Sequence, residues 1–275
     1  ARDQGLTALG KPDKEDGGNG NGDIEAKARA FRERLVELGP AYIKLGQVLA
    51  TRSDLLPATY IKELETLHDD VEPLEFAVVA QIIEEELGAR LNALFPTIDP
   101  RPLGTASLGQ AHAATLRDGR EVVVKVQRPN IRTLLADDME FFHELAVFLT
   151  QHTAAAKRVD LSGILRQLER ALADELDYRT EARNGGQFRR RLAAFPRLLV
   201  PRIIEGYSSE KVLTAERIRG TKVSEIPPIA RTELDLEPLA EELTRAYLHQ
   251  IAVDGHFHAD PHPGNIFLVL PSDHN

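Results

Sequence analysis

The chain has 275 residues, 42% of them hydrophobic, which is enough to bury a sizeable core as one large domain or two lobes. Its formal net charge of -9 gives no general electrostatic attraction to nucleic acid or to an anionic bilayer. It contains no Cys, which excludes disulfides, thiolate catalysis and Cys-ligated zinc or iron–sulfur centres.

The first hundred residues predict a leader followed by helices. Residues 1–23 are predicted to be a disordered leader, because the stretch KPDKEDGGNGNGD (11–23) holds no aliphatic side chain for packing. From Ile24 to about residue 100, apolar residues recur at helical spacing. Gly39 and Pro40 separate the first two helices, Pro57 begins a third, and Gly88 ends a fourth over 72–88.

Segment 101–129 predicts a β-hairpin. Two short extended stretches meet around Asp118 and Gly119, a strong turn signal, and the second stretch, EVVVKVQ, is apolar and β-branched. Beyond it, the pattern predicts helices at about 130–150 and 160–194, strands near 198–205 and 211–218, a hinge at Gly220 and a helix near 234–253.

Lys125 lies among valines in the second strand of that hairpin. An ammonium group in so apolar a neighbourhood needs an anion nearby, unless it lies on an edge strand and faces solvent. The preceding stretch GTASLGQ (104–110) is rich in small residues, which let backbone N–H groups approach a phosphate closely. Such loops also occur in proteins that bind no ligand.

The segment ADELDYRTEARN (173–184) predicts a polar face on a helix. Steps of four and three residues place Asp177, Glu181 and Asn184 together on that face. A solvated surface is the ordinary explanation of such a face. The alternative is that this helix supplies the carboxylate partner that Lys125 requires.

The segment HADPHPGN (258–265) places Asp260 and Asn265 in a loop bounded by Pro and Gly, just before the apolar run IFLVL. Phosphoryl transfer uses such a pair, with a carboxylate orienting the nucleophile and an amide oxygen holding Mg²⁺. A purely structural turn is one alternative. A zinc cluster of nearby histidines is disfavoured by the Pro-rich loop and the absence of Cys; its candidates are His256, His258 and His262.

These parts follow one another in the order of a protein-kinase-like fold. The sequence resembles the UbiB/ADCK (AarF) family of atypical kinases over residues 24–275, on four stretches: KLGQ (44–47), GTASLGQAH, ELDYRTEARN and HADPHPGN. The resemblance implies an α+β, protein-kinase-like fold. It divides the chain into the leader, a family-specific helical extension (24–100), a kinase-like N-lobe (101–219) and the start of the C-lobe (220–275), truncated before the DFG aspartate.

The resemblance also implies roles for particular residues. Lys125 is expected to contact the nucleotide phosphates and Glu181 to be its helix partner. Glu175 and Asp177 match an ExD pair that handles metal or nucleotide. Asp260 matches the catalytic-loop aspartate, and Asn265 the magnesium-binding asparagine. The nucleotide loop, often AAAS in the family, corresponds here to Gly104, Thr105, Ala106 and Ser107.

The KLGQ stretch matches the KxGQ element of the family, whose helix is expected to pack over the active site and occlude the place of a protein substrate. Lys44 and Gln47 carry this match. The residues themselves predict a polar stripe of Lys44, Gln47, Thr51 and Asp54 opposite an apolar one, for which a solvated face is the alternative.

The function implied is binding of ATP or ADP with Mg²⁺, by a kinase or ATPase that supports prenylquinone (ubiquinone) biosynthesis. The expected partners are the nucleotide and quinone-biosynthesis proteins or isoprenoid lipids at a membrane surface, with no nucleic acid. The expected location is the cytoplasm or the periphery of a bacterial inner membrane, and a mitochondrion or plastid in a eukaryote. Without the DFG aspartate the chain itself is expected to be catalytically poor.

Two other functions fit parts of the sequence. One is a non-catalytic, nucleotide-binding pseudokinase scaffold. The other is an aminoglycoside- or choline-type phosphotransferase, which shares the H-x-D-x-x-x-x-N loop, although KLGQ and ELD weigh against it.

Overall fold

A computed structural model describes residues 20–67, 72–154, 156–227, 234–259 and 263–270. The chain forms two compact units. Of the described residues, the first unit comprises those up to residue 67 and those within 141–168, and the second comprises those within 72–140 and those from residue 169 onward. Within the described part of the chain, no helix has the length and apolar composition needed to cross a bilayer.

The first unit is helical, as predicted. It contains α1 (Gly20–Leu38), α2 (Pro40–Ala50) and α3 (Ala58–Leu64), with the second half of α6 (Ile131–His152) and the start of α7 (Leu161–Glu175). The break between α1 and α2 falls at Gly39, whose φ of 110° suits a residue without a side chain. The predicted leader is too long, because residues 20–23 already belong to α1, where Asp23 pairs with Lys27 one turn later.

The KxGQ glycine, Gly46, packs in the core of this unit. A Cβ at this position would overlap Leu67 and lie 2.9 Å from a methyl carbon of Leu35, so glycine lets the three helices approach. The predicted polar stripe of Lys44, Gln47, Thr51 and Asp54 does not form one helical face, because α2 ends at Ala50. Thr51 caps the helix and Asp54 pairs with Arg52 at 2.7 Å in the following turn, so neither continues the helical face of Lys44 and Gln47.

The second unit is built on an antiparallel sheet of four strands in the order β1-β2-β3-β4. The strands are β1 (Thr97–Thr105), β2 (Gly109–Thr115), β3 (Glu121–Gln127) and β4 (Val212–Glu216). The predicted hairpin is β2 and β3, which pair from Thr115 and Glu121 onward and turn through Gly119 at a φ of 87°. Since β1 begins at Thr97, the predicted boundary between residues 100 and 101 falls inside a strand.

One face of the sheet carries the core. Alternate residues of β3, Val122, Val124 and Val126, are buried there against Val79 and Ile83 of α4 (Phe76–Leu87). Gly88 ends α4 in the left-handed conformation, as predicted. A short α5 (Leu91–Leu94) follows. Residues 72–100 therefore belong with the sheet and not with the helical extension assigned to them.

Two further elements differ from the sequence-based expectation. The helix expected over 160–194 is two helices, α7 and α8 (Tyr178–Arg191), separated at Leu176 and Asp177. The strand expected near 198–205 contributes only an isolated bridge between Ile203 and Ala215. Pro201, within the expected strand, lacks the N–H that a continuous strand would donate.

The last described segment starts the predicted C-lobe. Helix α9 (Glu237–His249) continues as a π-helical turn (Gln250–Asp254) and ends at Gly255, whose φ is 59°. A small sheet of β5 (Thr221–Lys222) and β6 (Phe267–Leu268) closes the segment. At the predicted hinge, a Cβ on Gly220 would lie 2.6 Å from the Leu268 carbonyl oxygen, so glycine permits this close backbone approach.

A buried hydrogen-bond chain connects β2 to its neighbours. Gln110 accepts a hydrogen bond from the Leu74 N–H (2.7 Å), and its side-chain amide lies 2.8 Å from His112 Nε2. His112 Nδ1 lies 2.9 Å from the Asp99 carbonyl oxygen. Because that carbonyl can only accept, Nδ1 carries the proton and Nε2 accepts from Gln110. These hydrogen bonds hold two segments, one before α4 and one after it, to the start of β2.

Replacing Gln110 by Leu is expected to lower the free energy of unfolding by about 2–4 kcal/mol, because it leaves the Leu74 N–H and His112 Nε2 unpaired in the interior. Urea denaturation of Gln110→Leu beside Gln81→Leu tests this. Gln81 is an exposed control on α4, bonded to Glu85. Equal effects of the two substitutions would contradict a structural role for the buried chain.

Candidate functional site

The site is centred on an ion pair between a strand and a helix. Lys125 Nζ on β3 donates a hydrogen bond to Glu181 Oε2 on α8 at 2.8 Å. The two side chains are 39% and 47% exposed. Since an ion pair so accessible to water stabilises a fold only slightly, its position is better explained by what it can bind.

The direction of Lys125 follows from the register of the sheet. Successive side chains alternate between faces, so Lys125 lies opposite the buried face of Val124 and Val126. Its strand is central, with Ala111 of β2 and Leu213 of β4 as the two neighbours of Lys125. The edge-strand alternative is therefore wrong.

An aromatic ring completes the surroundings of the ammonium group. Lys125 Nζ lies 4.8 Å from the ring centroid of Tyr178, the first residue of α8. Tyr178 is 2% exposed. The sequence motif drew attention to the neighbours Asp177 and Glu181, and Tyr178 itself was not predicted. The available signal was its spacing of three residues from Glu181 on a helix.

The ExD residues lie at the junction of α7 and α8. Glu175 is the last residue of α7, and Asp177 is the N-cap of α8, so the single helical face predicted for Asp177, Glu181 and Asn184 is interrupted at its first member. Asp177 Oδ1 accepts from the Arg179 N–H at 2.9 Å and from Arg179 Nε at 3.0 Å. The Arg179 guanidinium holds the pKa of Asp177 below its usual range, so this carboxylate is ionised at neutral pH.

Two substitutions of Asp177 separate capping from charge. Asp177→Ala is expected to lower the free energy of unfolding by about 1 kcal/mol, whereas Asp177→Asn should change it by only a few tenths, since Asn caps helices as well as Asp does. If Asp177 binds Mg²⁺, both variants should weaken Mg²⁺ binding. Urea denaturation and a Mg²⁺ titration measure the two effects. If Asp177→Asn and Asp177→Ala lost the same stability, the contribution of Asp177 to stability would come from its ion pair with Arg179 and not from capping.

The small-residue stretch forms the tight turn between β1 and β2. The Ala106 N–H donates to the Gly109 carbonyl at 2.7 Å, so it is engaged within the turn. Gly104 and Thr105 precede the turn on β1, and Ser107 is buried within it. A Cβ on Gly104 would meet no atom within 4 Å, whereas one on Gly109 would lie 2.6 Å from both the Val126 carbonyl oxygen and the Tyr178 hydroxyl.

Arg128 supports this turn and was not singled out from the sequence. Its Nε donates to the Ala106 carbonyl at 3.2 Å, its Nη2 donates to the Glu72 carbonyl at 2.7 Å, and its backbone N–H donates to the Leu108 carbonyl at 2.9 Å. Burial lowers the pKa of the Arg128 guanidinium. In the sequence, only its position three residues after Lys125 indicated that Arg128 lies near the site.

Asp260 and His262 lie outside the described residues, and the structure describes only the flanks of their loop. His258 is held by its backbone N–H, which donates to Gln250 Oε1 at 3.1 Å, and by its carbonyl, which accepts from the Tyr247 hydroxyl at 3.1 Å. Asn265 ends a short 3₁₀ turn (Pro263–Asn265) just before β6. The two ends of the loop are thus anchored to α9, its π-helical turn and the small sheet.

The structure brings together only part of the predicted site. Lys125, Glu181 and Tyr178 meet, and the turn at Gly109 reaches the same tyrosine. Across the described ranges, no three His, Cys, Asp or Glu side chains are grouped as a metal site. The assignment of Mg²⁺ to Glu175, Asp177 and Asn265 stays a prediction. Lys44 and Gln47 lie on α2 in the first unit, and their predicted regulatory role is also untested.

Comparison with known proteins identifies the family. Residues 66–272 match the model of the ABC1 atypical kinase-like domain, and the chain belongs to this family. It is 40% identical over 239 residues to a probable protein kinase UbiB of Aliivibrio fischeri, covering 86% of this chain and 44% of that protein. Protein sll1770 of Synechocystis sp. is 41% identical over 240 residues, covering 87% and 41%. The predicted UbiB/ADCK-type membership is confirmed.

A solved structure supports the same fold. A complex of Rv3197 with erythromycin from Mycobacterium tuberculosis matches with a TM-score of 0.59 and 29% identity, over 90% of this chain and 62% of that chain. The predicted α+β, kinase-like fold is thereby confirmed. The chain spans less than half the length of the curated relatives it matches.

Proposed function

We propose that this domain binds ATP or ADP together with Mg²⁺, with Lys125 contacting the nucleotide phosphates and Glu181 holding the lysine in place. The observation that supports this is the 2.8 Å hydrogen bond between the strand lysine and the helix glutamate. In protein kinases a strand lysine paired with a helix glutamate must be in place for phosphoryl transfer.

The chemistry of the pair suits a phosphate ligand. An ammonium group has three N–H donors, and among the described residues only Glu181 accepts one from Lys125. With the lysine side chain 39% exposed, the other donors remain accessible to phosphate oxygens. A neutral group at this position would lack both the charge and the donors.

The residues proposed to hold Mg²⁺ are Asn265, Glu175 and Asp177, and the ionised carboxylate of Asp177 fits that ion, which prefers oxygen ligands. When bound, Mg²⁺ neutralises charge on the phosphates. Asp260 is proposed to orient the nucleophile. The residues proposed to lie along the nucleotide are the end of β1 and the start of the turn that follows it: Gly104, Thr105, Ala106 and Ser107.

For the whole protein we propose a kinase or ATPase acting in prenylquinone (ubiquinone) biosynthesis. Its relatives named probable protein kinase UbiB support the kinase part of this proposal. Quinone-biosynthesis proteins or isoprenoid lipids are the proposed partners. The proposed location is the cytoplasm or the periphery of a bacterial inner membrane, or a mitochondrion or plastid in a eukaryote.

Calorimetric titration of the 275-residue chain with ATP and with ADP, each in Mg²⁺ and in EDTA, tests the binding proposal. Binding that requires Mg²⁺ is expected. A chain that is folded by circular dichroism yet binds neither nucleotide would overturn the proposal. Erythromycin, the ligand named with Rv3197, is a suitable comparison ligand, and its binding in place of nucleotide would point to a different function for this domain.

Asp260→Asn in the whole protein separates an enzyme from a pseudokinase scaffold. An enzyme should keep its nucleotide affinity and lose phosphoryl transfer or ATP hydrolysis, because the substitution removes the carboxylate that orients the nucleophile. A scaffold should keep both its nucleotide affinity and its function in cells.

A further inference from the structure

Tyr178 is a buried residue beside the proposed phosphate-binding lysine, and no role has been assigned to it. It opens α8, its ring centroid lies 4.8 Å from Lys125 Nζ, and Glu181 lies three residues further along the same helix. One helical segment therefore supplies the lysine with two partners, a carboxylate and an aromatic ring.

We propose that Tyr178 is a positioning residue, whose ring holds the Lys125 ammonium group in place while the lysine shares its hydrogen bonds between Glu181 and a phosphate. The inference rests on the proposed nucleotide function. Glu181 uses one of the three N–H donors and a phosphate would use the others. A bound phosphate is therefore a second anion that also pulls on the ammonium group, and the carboxylate alone is then a weaker anchor. A ring attracts a cation through its quadrupole and takes none of these donors, so its contribution persists.

The ring is fixed by its surroundings. The backbone N–H of Tyr178 donates to the Glu210 carbonyl at 3.0 Å, which holds the start of α8 beside β4. At the far end of the ring, a Cβ on Gly109 would lie 2.6 Å from the hydroxyl oxygen. The tyrosine is thus packed between the β1–β2 turn and the lysine, and a residue only 2% exposed has little room to move its ring.

The hydroxyl group does not explain why a tyrosine stands at position 178. It is buried and has no hydrogen-bond partner among the described residues. Burial, together with the charges of Glu181 and Glu175, raises the pKa of Tyr178, so the ring remains neutral at physiological pH. The aromatic face is therefore the part of the side chain that acts on Lys125.

Two substitutions separate the ring from the hydroxyl. Tyr178→Phe keeps the ring and should bind magnesium–nucleotide within about 2-fold of the unmodified chain. Tyr178→Leu removes the ring and should weaken binding by about 3- to 30-fold, the range of cation–π contributions converted to affinity. If Tyr178→Leu fails to fold, Tyr178→Met provides an unbranched apolar side chain at the same position.

A second readout needs no nucleotide. In the chain with ¹³C-labelled lysine, the Lys125 ε-methylene protons should show an upfield ring-current shift. The Lys125 resonance is assigned by its disappearance from the spectrum of Lys125→Arg. The shift should persist in Tyr178→Phe and disappear in Tyr178→Leu. This pattern would show that the ring, and not the hydroxyl group, lies against the lysine in solution, and the affinities of the same variants measure what that contact contributes to binding.

The outcomes distinguish this inference from the proposed function. Absence of nucleotide binding by the unmodified chain would overturn the proposed function and, with it, the role of Tyr178 in ligand binding. If the chain does bind nucleotide, two results would overturn the positioning role alone: equal affinities of the Phe and Leu variants, or an ε-methylene resonance without a ring-current shift.

Discussion

Lys125→Met is expected to weaken magnesium–nucleotide binding by about 10- to 100-fold. A hydrogen bond to a charged group contributes about 1.5–3 kcal/mol, and each 1.36 kcal/mol is a factor of ten in affinity. Stability should change little, because the side chains of Lys125 and Glu181 are 39% and 47% exposed. Calorimetry and urea denaturation of the same samples measure the two effects separately.

A double-mutant cycle with Glu181→Gln sharpens this result. Alone, Glu181→Gln should weaken binding less than Lys125→Met, because its effect is through the lysine. In the Lys125→Met background it should have no further effect. Lys62→Met, at an exposed position on α3, controls for loss of a positive charge. If Lys62→Met weakened binding as much as Lys125→Met, general charge rather than the ion pair would be responsible.

The two glycines of the β1–β2 turn region should respond differently to a single methyl group. Gly109→Ala is expected to lower the free energy of unfolding by about 1–3 kcal/mol, the cost of overpacking. Its Cβ would press on the Val126 carbonyl, which belongs to a paired strand and cannot rotate away. Gly104→Ala should be neutral within about 0.5 kcal/mol, because no atom lies within 4 Å of the added carbon.

Urea denaturation of the two variants tests this difference, and nucleotide titration extends it to the site. Gly109→Ala should also weaken nucleotide binding, since the same Cβ would displace Tyr178 from beneath Lys125. A loss of stability at Gly104 equal to that at Gly109 would show that conformational freedom rather than close packing determines the requirement for glycine here.

Local signals were predicted well because they depend on neighbours in sequence. Gly88 ends α4 with positive φ, and the turn at Asp118 and Gly119 joins β2 to β3. The periodic apolar residues of the first unit form α1 to α3. In each case the backbone preference of a few residues and the spacing of apolar side chains suffice.

Elements that depend on distant partners were predicted poorly. Strand β1 contains Pro100 and Pro102, which argue against a strand in isolation. Pairing with β2 makes it an edge strand, where missing N–H donors are tolerated, and its register shifts at Pro102. The break at Asp177 was missed for a similar reason, since the cap is recognised only once the chain is seen to turn there.

The sequence by itself determined the family and the identity of Lys125 and Glu181 as partners, because four motifs in one order are specific even without coordinates. Only the tertiary structure decided that Lys125 lies on a central strand and that Tyr178 lies against it. The alternation of a strand determines which side chains share a face, but not which element covers that face. That choice depends on contacts between residues more than fifty positions apart, such as the 2.8 Å bond from Lys125 to Glu181.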